Sequence, residues 1–307
     1  MKAIAIIGRG IIGNSWAMVF ARAGLKVSIW DRAGLGRSAV LDSLGALFEA
    51  VEGTDAAAPE DALSRVSVYH DLAETLRGTT YVQESVPEEI TLKRRIVREI
   101  IEVADPDTII ASSTSGLLPS RLAEGLEGNE RFVVVHPLTP PHLLPVVEIV
   151  PGQATSELVV ERTVALMRNV GQVPVRLHRE MTGFFANRIL AALLNEFFHL
   201  IRDEVIHPDD ADTIITQGFG LRWACMGPLA AMDLNAAGGI ADYLSRYGSI
   251  VESVARERNA SCALDLAVVE KLTSTMRARH PLDQRTMRAN ARDRAIAQLR
   301  TTRTLVR

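Results

Sequence analysis

Hydrophobic residues in the first half of the chain form short apolar runs separated by longer segments with helical spacing. The run Ala3–Ile7 is followed by Ile11–Arg22, where apolar positions recur at the helical period and end before Gly24. A second apolar run, Lys26–Asp31, comes next. The order strand, helix, strand predicts a βαβ unit with two parallel strands.

The same alternation continues to residue 177. Further strands are predicted by short runs rich in β-branched and aromatic residues, at Arg65–Tyr69, Thr80–Glu84, Thr108–Ser112, Phe132–Val135, Val146–Val150 and Val173–Leu177. Helical segments such as Glu89–Val103 separate them. This alternation is typical of an α/β fold with a doubly wound parallel sheet.

From Gly183 onward the pattern changes to helices. The segment Gly183–Phe198 is apolar over most of its circumference, but Arg188 and Glu196 argue against a membrane span, so we expect burial between domains or subunits. Later helices are predicted at Pro208–Gly218, Pro228–Asn235, Gly239–Arg256 and Asp283–Arg300. We therefore expect a sheet domain over residues 1–182 and an all-helical domain over residues 183–307.

Composition favours an ordinary globular protein of the cytoplasm. The chain has 307 residues, of which 47% are hydrophobic, and this is enough for about two domains. A net charge of -3 gives no electrostatic reason to bind nucleic acid or an anionic membrane. Cys225 and Cys262 lack metal-ligand spacing and favour a reducing compartment. We expect a small-molecule substrate, no nucleic-acid or membrane partner and no metal.

Three glycines, Gly8, Gly10 and Gly13, lie between the first predicted strand and the first predicted helix. This is the context of a dinucleotide-binding loop, because glycines permit the tight turn and the helix N-terminus attracts the pyrophosphate. We expect this loop, with Ile11 and Ile12, to contact the cofactor.

Asp31 ends the second predicted strand. A carboxylate at this position accepts hydrogen bonds from the ribose hydroxyls and repels a 2′-phosphate, which favours NAD over NADP. Arg32 beside it keeps NADP as an alternative, since a cation there could receive the additional phosphate.

Four polar residues downstream are candidates for the chemistry: Ser115, His136, Glu148 and Asn187. Ser115 and His136 follow predicted strands, and open α/β sheets bind ligands at the carboxyl ends of their strands. Glu148 is placed to accept the imidazole N–H and raise the basicity of the ring. A dinucleotide loop combined with a base indicates a dehydrogenase that acts on a hydroxyl group.

Several multi-residue blocks carry a family resemblance. They are Gly13–Met18, Gln83–Glu88 with Lys93, Ser112–Ser115, His136–Pro141, Pro145–Glu148, Gly183–Phe184 with Asn187–Arg188, and Gly227–Leu229 with Leu234–Asn235. The chain resembles the 3-hydroxyacyl-CoA dehydrogenase superfamily, and within it the L-gulonate 3-dehydrogenase (lambda-crystallin) branch. The resemblance implies an N-terminal Rossmann domain and a helical domain that forms a homodimer.

The resemblance also implies roles for single residues. His136 is the implied catalytic base and Glu148 its partner, while Ser115 and Asn187 are implied to hydrogen-bond the reacting oxygen or the histidine. The same likeness places other residues at the cofactor or beside the active site: Glu88 and Lys93 near the nicotinamide ribose, Thr139 where the family usually has Asn, and Gly116 in place of a small polar or sulfur-bearing residue.

The block after His136 bears on the substrate. Acyl-CoA enzymes generally have His-Phe-Phe-Asn-Pro there, whereas Pro137 and Pro140–Pro141 resemble the branch that acts on free hydroxy acids. Arg222 matches an arginine of that branch and could hold a carboxylate by two hydrogen bonds, although a surface arginine covering apolar area is an equal alternative. We expect His142 to be exposed to solvent.

These inferences predict an NAD-dependent dehydrogenase that oxidises the 3-hydroxyl of a small free hydroxy acid such as L-gulonate. Carnitine-like and aromatic hydroxy compounds stay open as substrates. A 3-hydroxyacyl-CoA dehydrogenase is the alternative among enzymes. A catalytically silent NAD-binding or structural, crystallin-like protein is the alternative of another class.

Overall fold

The computed structural model describes residues 3–31, 36–49, 59–257, 266–279 and 281–302. The chain divides into two compact units, Met1–Ile189 and Leu190–Arg307. Arg32 and Cys262, which the sequence analysis singled out, lie outside the described residues.

Eight strands form one sheet in the first unit. They are β1 Ala3–Ile7, β2 Lys26–Trp30, β3 Val66–Tyr69, β4 Thr79–Glu84, β5 Ile109–Ser112, β6 Phe132–Pro137, β7 Val146–Pro151 and β8 Val173–Arg176. Their order across the sheet is β3-β2-β1-β4-β5-β6-β7-β8. This confirms the predicted doubly wound α/β fold.

One strand pair departs from the expected parallel arrangement. All neighbours run parallel except β6 and β7, which are antiparallel. The reason is the connection, because residues 138–145 join the two strands without a helix. A parallel pair needs a longer crossover.

Helices cover the sheet of the first unit. They are α1 Ile11–Arg22, α2 Arg37–Glu49, α3 Pro59–Ser64, α4 Leu72–Leu76, α5 Ile90–Val103, α6 Pro119–Leu122 and α7 Glu157–Asn169. The central strands are buried on both faces, as Ile4, Val82 and Val134 illustrate with no exposed surface. This explains why these strands are continuous apolar runs in the sequence rather than alternating ones.

The second unit is built of helices. Counted with α8 Ala186–Arg202, in which the unit boundary falls, they are α9 Pro208–Ile214, α10 Gly220–Trp223, α11 Pro228–Leu234, α12 Gly239–Glu257, α13 Leu266–Arg279 and α14 Arg285–Thr302. A π-helical turn, Ile215–Phe219, joins α9 to α10. Within the described ranges, no helix is long and apolar enough to cross a membrane.

One helical segment was not predicted from the sequence. The apolar residues of α13 are not concentrated on one face, so their spacing did not indicate a helix. Ile189, Leu190 and Leu194 of α8 are exposed in the single chain, and the expected burial of this helix between domains or subunits stays a prediction.

Candidate active site

The loop between β1 and α1 is tight because two of its glycines have no room for a side chain. Gly8 has a φ of +92°, and a Cβ atom on it would lie 2.8 Å from the carbonyl oxygen of Ser85. A Cβ atom on Gly13 would lie 1.9 Å from the carbonyl oxygen of Gly8. The amide of Arg9 donates a hydrogen bond of 3.0 Å to Oδ2 of Asp31, which ties the loop to the end of β2.

A cavity of about 620 Å³ opens over this loop. Its wall includes the backbone of Gly8 and Gly10, the side of Ile11, and Asp31, with Val86 among the residues across from the loop. A helix N-terminus suits a pyrophosphate, and a carboxylate at the end of the second strand suits ribose hydroxyls. The residues present therefore fit a dinucleotide.

His136 and Glu148 face each other across the antiparallel strands β6 and β7, where they are register partners. Nδ1 of His136 lies 2.7 Å from Oε2 of Glu148, and both side chains are buried. Oε1 of Glu148 accepts hydrogen bonds from the amides of Phe185 and Ala186, at 2.8 and 3.0 Å. The carboxylate is thus fixed by three donors.

The charge state of Glu148 sets the tautomer of its partner. Burial raises the pKa of Glu148, but the hydrogen bonds from His136, Ala186 and Phe185 lower it by more, so that the pKa lies below the ordinary value of 4.5. An ionised carboxylate can only accept hydrogen bonds, so we assign the donor proton to Nδ1 of His136. In the neutral ring, Nε2 is then the proton acceptor.

Ser115 and Asn187 meet through the main chain. Nδ2 of Asn187 donates to the carbonyl oxygen of Ser115 at 2.6 Å, and Ser115 itself is exposed in the loop after β5. Among the described residues, no hydrogen bond joins either of them to His136. The structure therefore brings Ser115 and Asn187 together, while their implied contacts with the reacting oxygen stay a prediction.

The residues expected near the nicotinamide differ in their exposure. Lys93 is 1% exposed, and its ammonium group binds both oxygens of Glu84 and the carbonyl oxygen of Val86. The side chain of Glu88, by contrast, is 45% exposed. Thr139 is exposed in the connection between β6 and β7.

The expectation that His142 is exposed was wrong, because this residue is 5% exposed. Its Nδ1 lies 3.0 Å from Oγ of Ser15 in α1, and Ser15 donates to the carbonyl oxygen of Ile11. The proline-containing segment after β6 packs on α1 and buries the imidazole. The local sequence around His142 contains no information about packing against Ser15, which lies 127 positions away.

Arg222 lies in α10 of the second unit and is exposed. Its guanidinium carbon is 5.5 Å from the centroid of the Phe219 ring, which stacks on Trp223 with a centroid distance of 5.2 Å.

Several known proteins are similar to this chain over most of its length. The lambda-crystallin homolog of Bos taurus is 39% identical over 287 residues, covering 91% of this chain and 88% of that protein. L-carnitine dehydrogenase of Oceanobacillus iheyensis is 39% identical over 241 residues, covering 78% and 77%. The crystal structure of 5-formyl-3-hydroxy-2-methylpyridine 4-carboxylic acid 5-dehydrogenase, an NAD+-dependent dismutase, has a TM-score of 0.82 at 29% identity and covers 99% of each chain.

Two family models together cover nearly all of the chain. The NAD-binding domain of 3-hydroxyacyl-CoA dehydrogenase matches residues 3–181, and the C-terminal domain of the same enzyme matches residues 183–284. The cofactor is therefore NAD, and the protein is an NAD-dependent dehydrogenase. The chain belongs to the 3-hydroxyacyl-CoA dehydrogenase family.

Proposed function

We propose that this protein oxidises the 3-hydroxyl group of a small free hydroxy acid to the 3-keto acid, with His136 as the general base. The observation that carries the proposal is the 2.7 Å hydrogen bond between Nδ1 of His136 and Oε2 of Glu148. It leaves Nε2 as the acceptor for a hydroxyl proton. NAD, when bound, supplies the acceptor for the hydride.

Proton transfer to His136 creates a positive imidazolium in a buried site. Glu148 stabilises this charge, because its lowered pKa keeps it ionised before the proton arrives. The two amide donors of Phe185 and Ala186 hold the carboxylate in place, so little rearrangement accompanies the transfer. In this scheme Ser115 and Asn187 orient the substrate oxygen.

The cofactor side of the proposal assigns the loop from Gly8 to Gly13 to the pyrophosphate and Asp31 to the adenosine ribose. Asp31 lines the cavity, and its Oδ2 is fixed by the Arg9 amide. A carboxylate held at this position selects against a 2′-phosphate, which agrees with NAD as the cofactor.

Two similar proteins support a free acid as the substrate, whereas the 3-hydroxyacyl-CoA dehydrogenase of Gibberella moniliformis, 36% identical, supports the thioester alternative. L-carnitine and the pyridine carboxylic acid named for the solved structure both contain a free carboxylate. L-gulonate, suggested by the resemblance in the sequence, is our first choice. A carboxylate needs a cation, and we assign this role to the exposed guanidinium of Arg222, which can bind both oxygens at once.

The test compares NADH production from L-gulonate, L-carnitine and 3-hydroxybutyrate with production from 3-hydroxybutyryl-CoA. We expect kcat/KM to be highest for a free acid. Arg222→Met should lower kcat/KM for that acid by a factor that corresponds to about 2–3 kcal/mol of transition-state stabilisation, since a charge-assisted hydrogen bond is lost. The kcat/KM for the thioester should not change. Arg256→Met is the matched control, because Arg256 is an exposed arginine paired with Glu252 within α12.

Three outcomes of this substrate comparison would contradict parts of the proposal. A wild-type enzyme that is faster on the thioester contradicts the free-acid proposal and supports acyl-CoA oxidation. Equal losses on both substrates in Arg222→Met mean that Arg222 is structural. No NADH from any of these substrates would contradict the proposed substrate class and direct the test to the other open class, aromatic hydroxy compounds.

We also propose that the protein is a homodimer formed through its helical unit. Helix α12 has no buried residue, and Leu244, Tyr247, Val251 and Val254 are exposed along it at intervals of three and four. This spacing forms an apolar stripe of the kind that packs against another helix. A second copy of the chain is the occupant that we assign to it, since symmetric dimers are the commonest oligomers.

A further inference from the structure

Glu84, the last residue of β4, has a carboxylate that is completely buried. Its Oε1 accepts hydrogen bonds from the Val86 amide at 2.6 Å and from Nζ of Lys93 at 2.8 Å. Its Oε2 accepts from Oγ of Ser112 at 2.5 Å and from Nζ of Lys93 at 3.2 Å. A buried carboxylate needs such donors. Here Val86 and Lys93 come from the segment that follows β4, and Ser112 is the last residue of β5.

Lys93 connects the buried carboxylate of Glu84 to the exposed side chain of Glu88. Besides Glu84, its ammonium group binds the carbonyl oxygen of Val86 at 3.0 Å and lies 3.5 Å from Oε2 of Glu88. An ammonium group has three donors, and these protein oxygens occupy them. All three donors of Lys93 thus have protein partners, and its expected position near the nicotinamide ribose stays a prediction.

Glu88 forms hydrogen bonds to the loop that contains Ser115. Its Oε1 accepts hydrogen bonds from Oγ1 of Thr114 at 2.5 Å and from the amides of Ser115 and Gly116 at 3.0 and 3.3 Å. The carbonyl oxygen of Ser115 accepts from Asn187. One carboxylate thus fixes the turn on which Ser115 is presented.

The same network reaches the cofactor cavity. Ser85, Val86 and Pro87 line that cavity, and Val86 is bound to Glu84 through its amide and to Lys93 through its carbonyl oxygen. A buried ion pair is by itself weak evidence for stability, because apolar residues of similar size often serve a core as well. This pair also contacts Ser112 at the end of β5, Val86 in the cofactor wall and Glu88, which holds the Ser115 turn, and these contacts suggest a more specific use.

We propose that Glu84 is a positioning residue for the active site, which acts through Lys93 and Glu88 to set the Ser115 turn relative to the cofactor-binding segment 85–87. Glu84 touches neither substrate nor cofactor in this role. The effect on turnover rests on the role of Ser115 in the proposed function, whereas the effect on the geometry of the turn does not.

The first test is a double-mutant cycle with Glu84→Gln and Ser115→Ala. Displacing a substrate-orienting group costs up to about 100-fold in rate, so we expect Glu84→Gln to lower kcat by about 10- to 100-fold in the wild-type background. In the Ser115→Ala background, the same change should lower kcat less than about threefold, because the group that it positions is already gone. Equal losses in both backgrounds would overturn the proposal.

The second test needs no turnover. Hydrogen–deuterium exchange of the Glu84→Gln protein should be faster at the amides of Val86, Ser115 and Gly116 and unchanged at the central strands β1 and β5. Faster exchange throughout the sheet would mean a merely structural role and would contradict the proposal. Glu124→Gln is the control. Glu124 lies at the surface and pairs with Arg94, which is next to Lys93 in helix α5.

Two other outcomes are a Glu84 variant that does not fold and a Ser115 variant that has no effect on kcat. If Glu84→Gln does not fold, Glu84→Asp replaces it in both tests, since the shorter side chain keeps the negative charge beside Lys93 but draws back from the Val86 amide and Ser112. If Ser115→Ala alone leaves kcat unchanged, the role of Ser115 in the proposed function fails. The exchange measurement then decides separately whether Glu84 positions the turn.

Discussion

Strand β6 has no exposed residue along Phe132–Pro137, whereas helix α12 has no buried residue along Gly239–Glu257. The strand carries His136 and is covered within its own unit. The helix presents its apolar stripe to solvent in the single chain. The two segments show the two ways in which apolar surface is used in this protein.

The difference teaches where each unit obtains its stability. The first unit buries its apolar side chains itself, and its chemical groups are fixed by buried hydrogen bonds such as those of Glu148. The second unit leaves a large apolar face that, on our proposal, only a second copy covers. The stability of the first unit should therefore be independent of protein concentration, and that of the second should not.

The largest effect is expected from His136→Gln in the buried strand. Removing a general base should lower kcat by about two to four orders of magnitude. The dissociation constant for NAD should change little, because His136 is not among the residues that line the cofactor cavity. Steady-state kinetics and NAD titration measure the two effects. The exposed His178 provides the control, His178→Gln, and a variant that keeps more than about a tenth of wild-type turnover would contradict the assignment.

The buried strand was also the easier region to predict from the sequence. The eight predicted strands and the pairing of His136 with Glu148 follow from apolar runs and from polar residues at strand ends. In the central strands, burial on both faces leaves a direct mark on the sequence. The fold prediction was confirmed in this region with one antiparallel exception.

The features that were not predicted depend on tertiary packing rather than on local spacing. The sequence did not indicate the buried contacts of Glu84, since a glutamate at a strand end looks the same whether it is exposed or paired with a buried lysine nine residues later. His142 was misplaced because its partner, Ser15, lies 127 positions away. Helix α13 was missed because its apolar residues are spread around the helix. Tertiary packing decides all three, and local spacing contains little information about it.

Substitution in the core of the first unit should give the next largest effect. Ile110 in β5 has no exposed surface, and Ile110→Ala should reduce the free energy of unfolding by about 2–5 kcal/mol through lost burial and a cavity. Urea unfolding at two protein concentrations should give the same loss at both. A loss that changes with concentration would remove the distinction between the units.

A charge in the stripe of α12 tests the other region. Val251→Glu should convert a dimer into a monomer, because a carboxylate buried in an apolar interface without a partner is unfavourable. Light scattering with size-exclusion chromatography measures the mass. Ser249→Glu is the control on the same helix, since Ser249 lies outside the stripe. A wild-type protein that is monomeric would show that the exposed face of α12 serves another purpose.

The smallest effect concerns pH and returns to the buried pair. The pKa of Glu148 is lowered in the folded protein, so its carboxylate contributes stability that is present above the ordinary value of 4.5 and is lost as the pH falls through the lowered pKa. Glu148→Gln lacks this contribution, so its melting temperature should fall less steeply than that of the wild type between pH about 6 and about 3. The acid limb of its pH–rate profile should move to lower pH, because the imidazolium of His136 loses the carboxylate that stabilises it. In the control Glu157→Gln, the substituted carboxylate also has a lowered pKa, which is due first to its hydrogen bond with Arg176, but it lies at the surface. That variant should leave the acid limb where it is, and a shift of equal size in both variants would mean that Glu148 acts on His136 only through the overall charge of the protein.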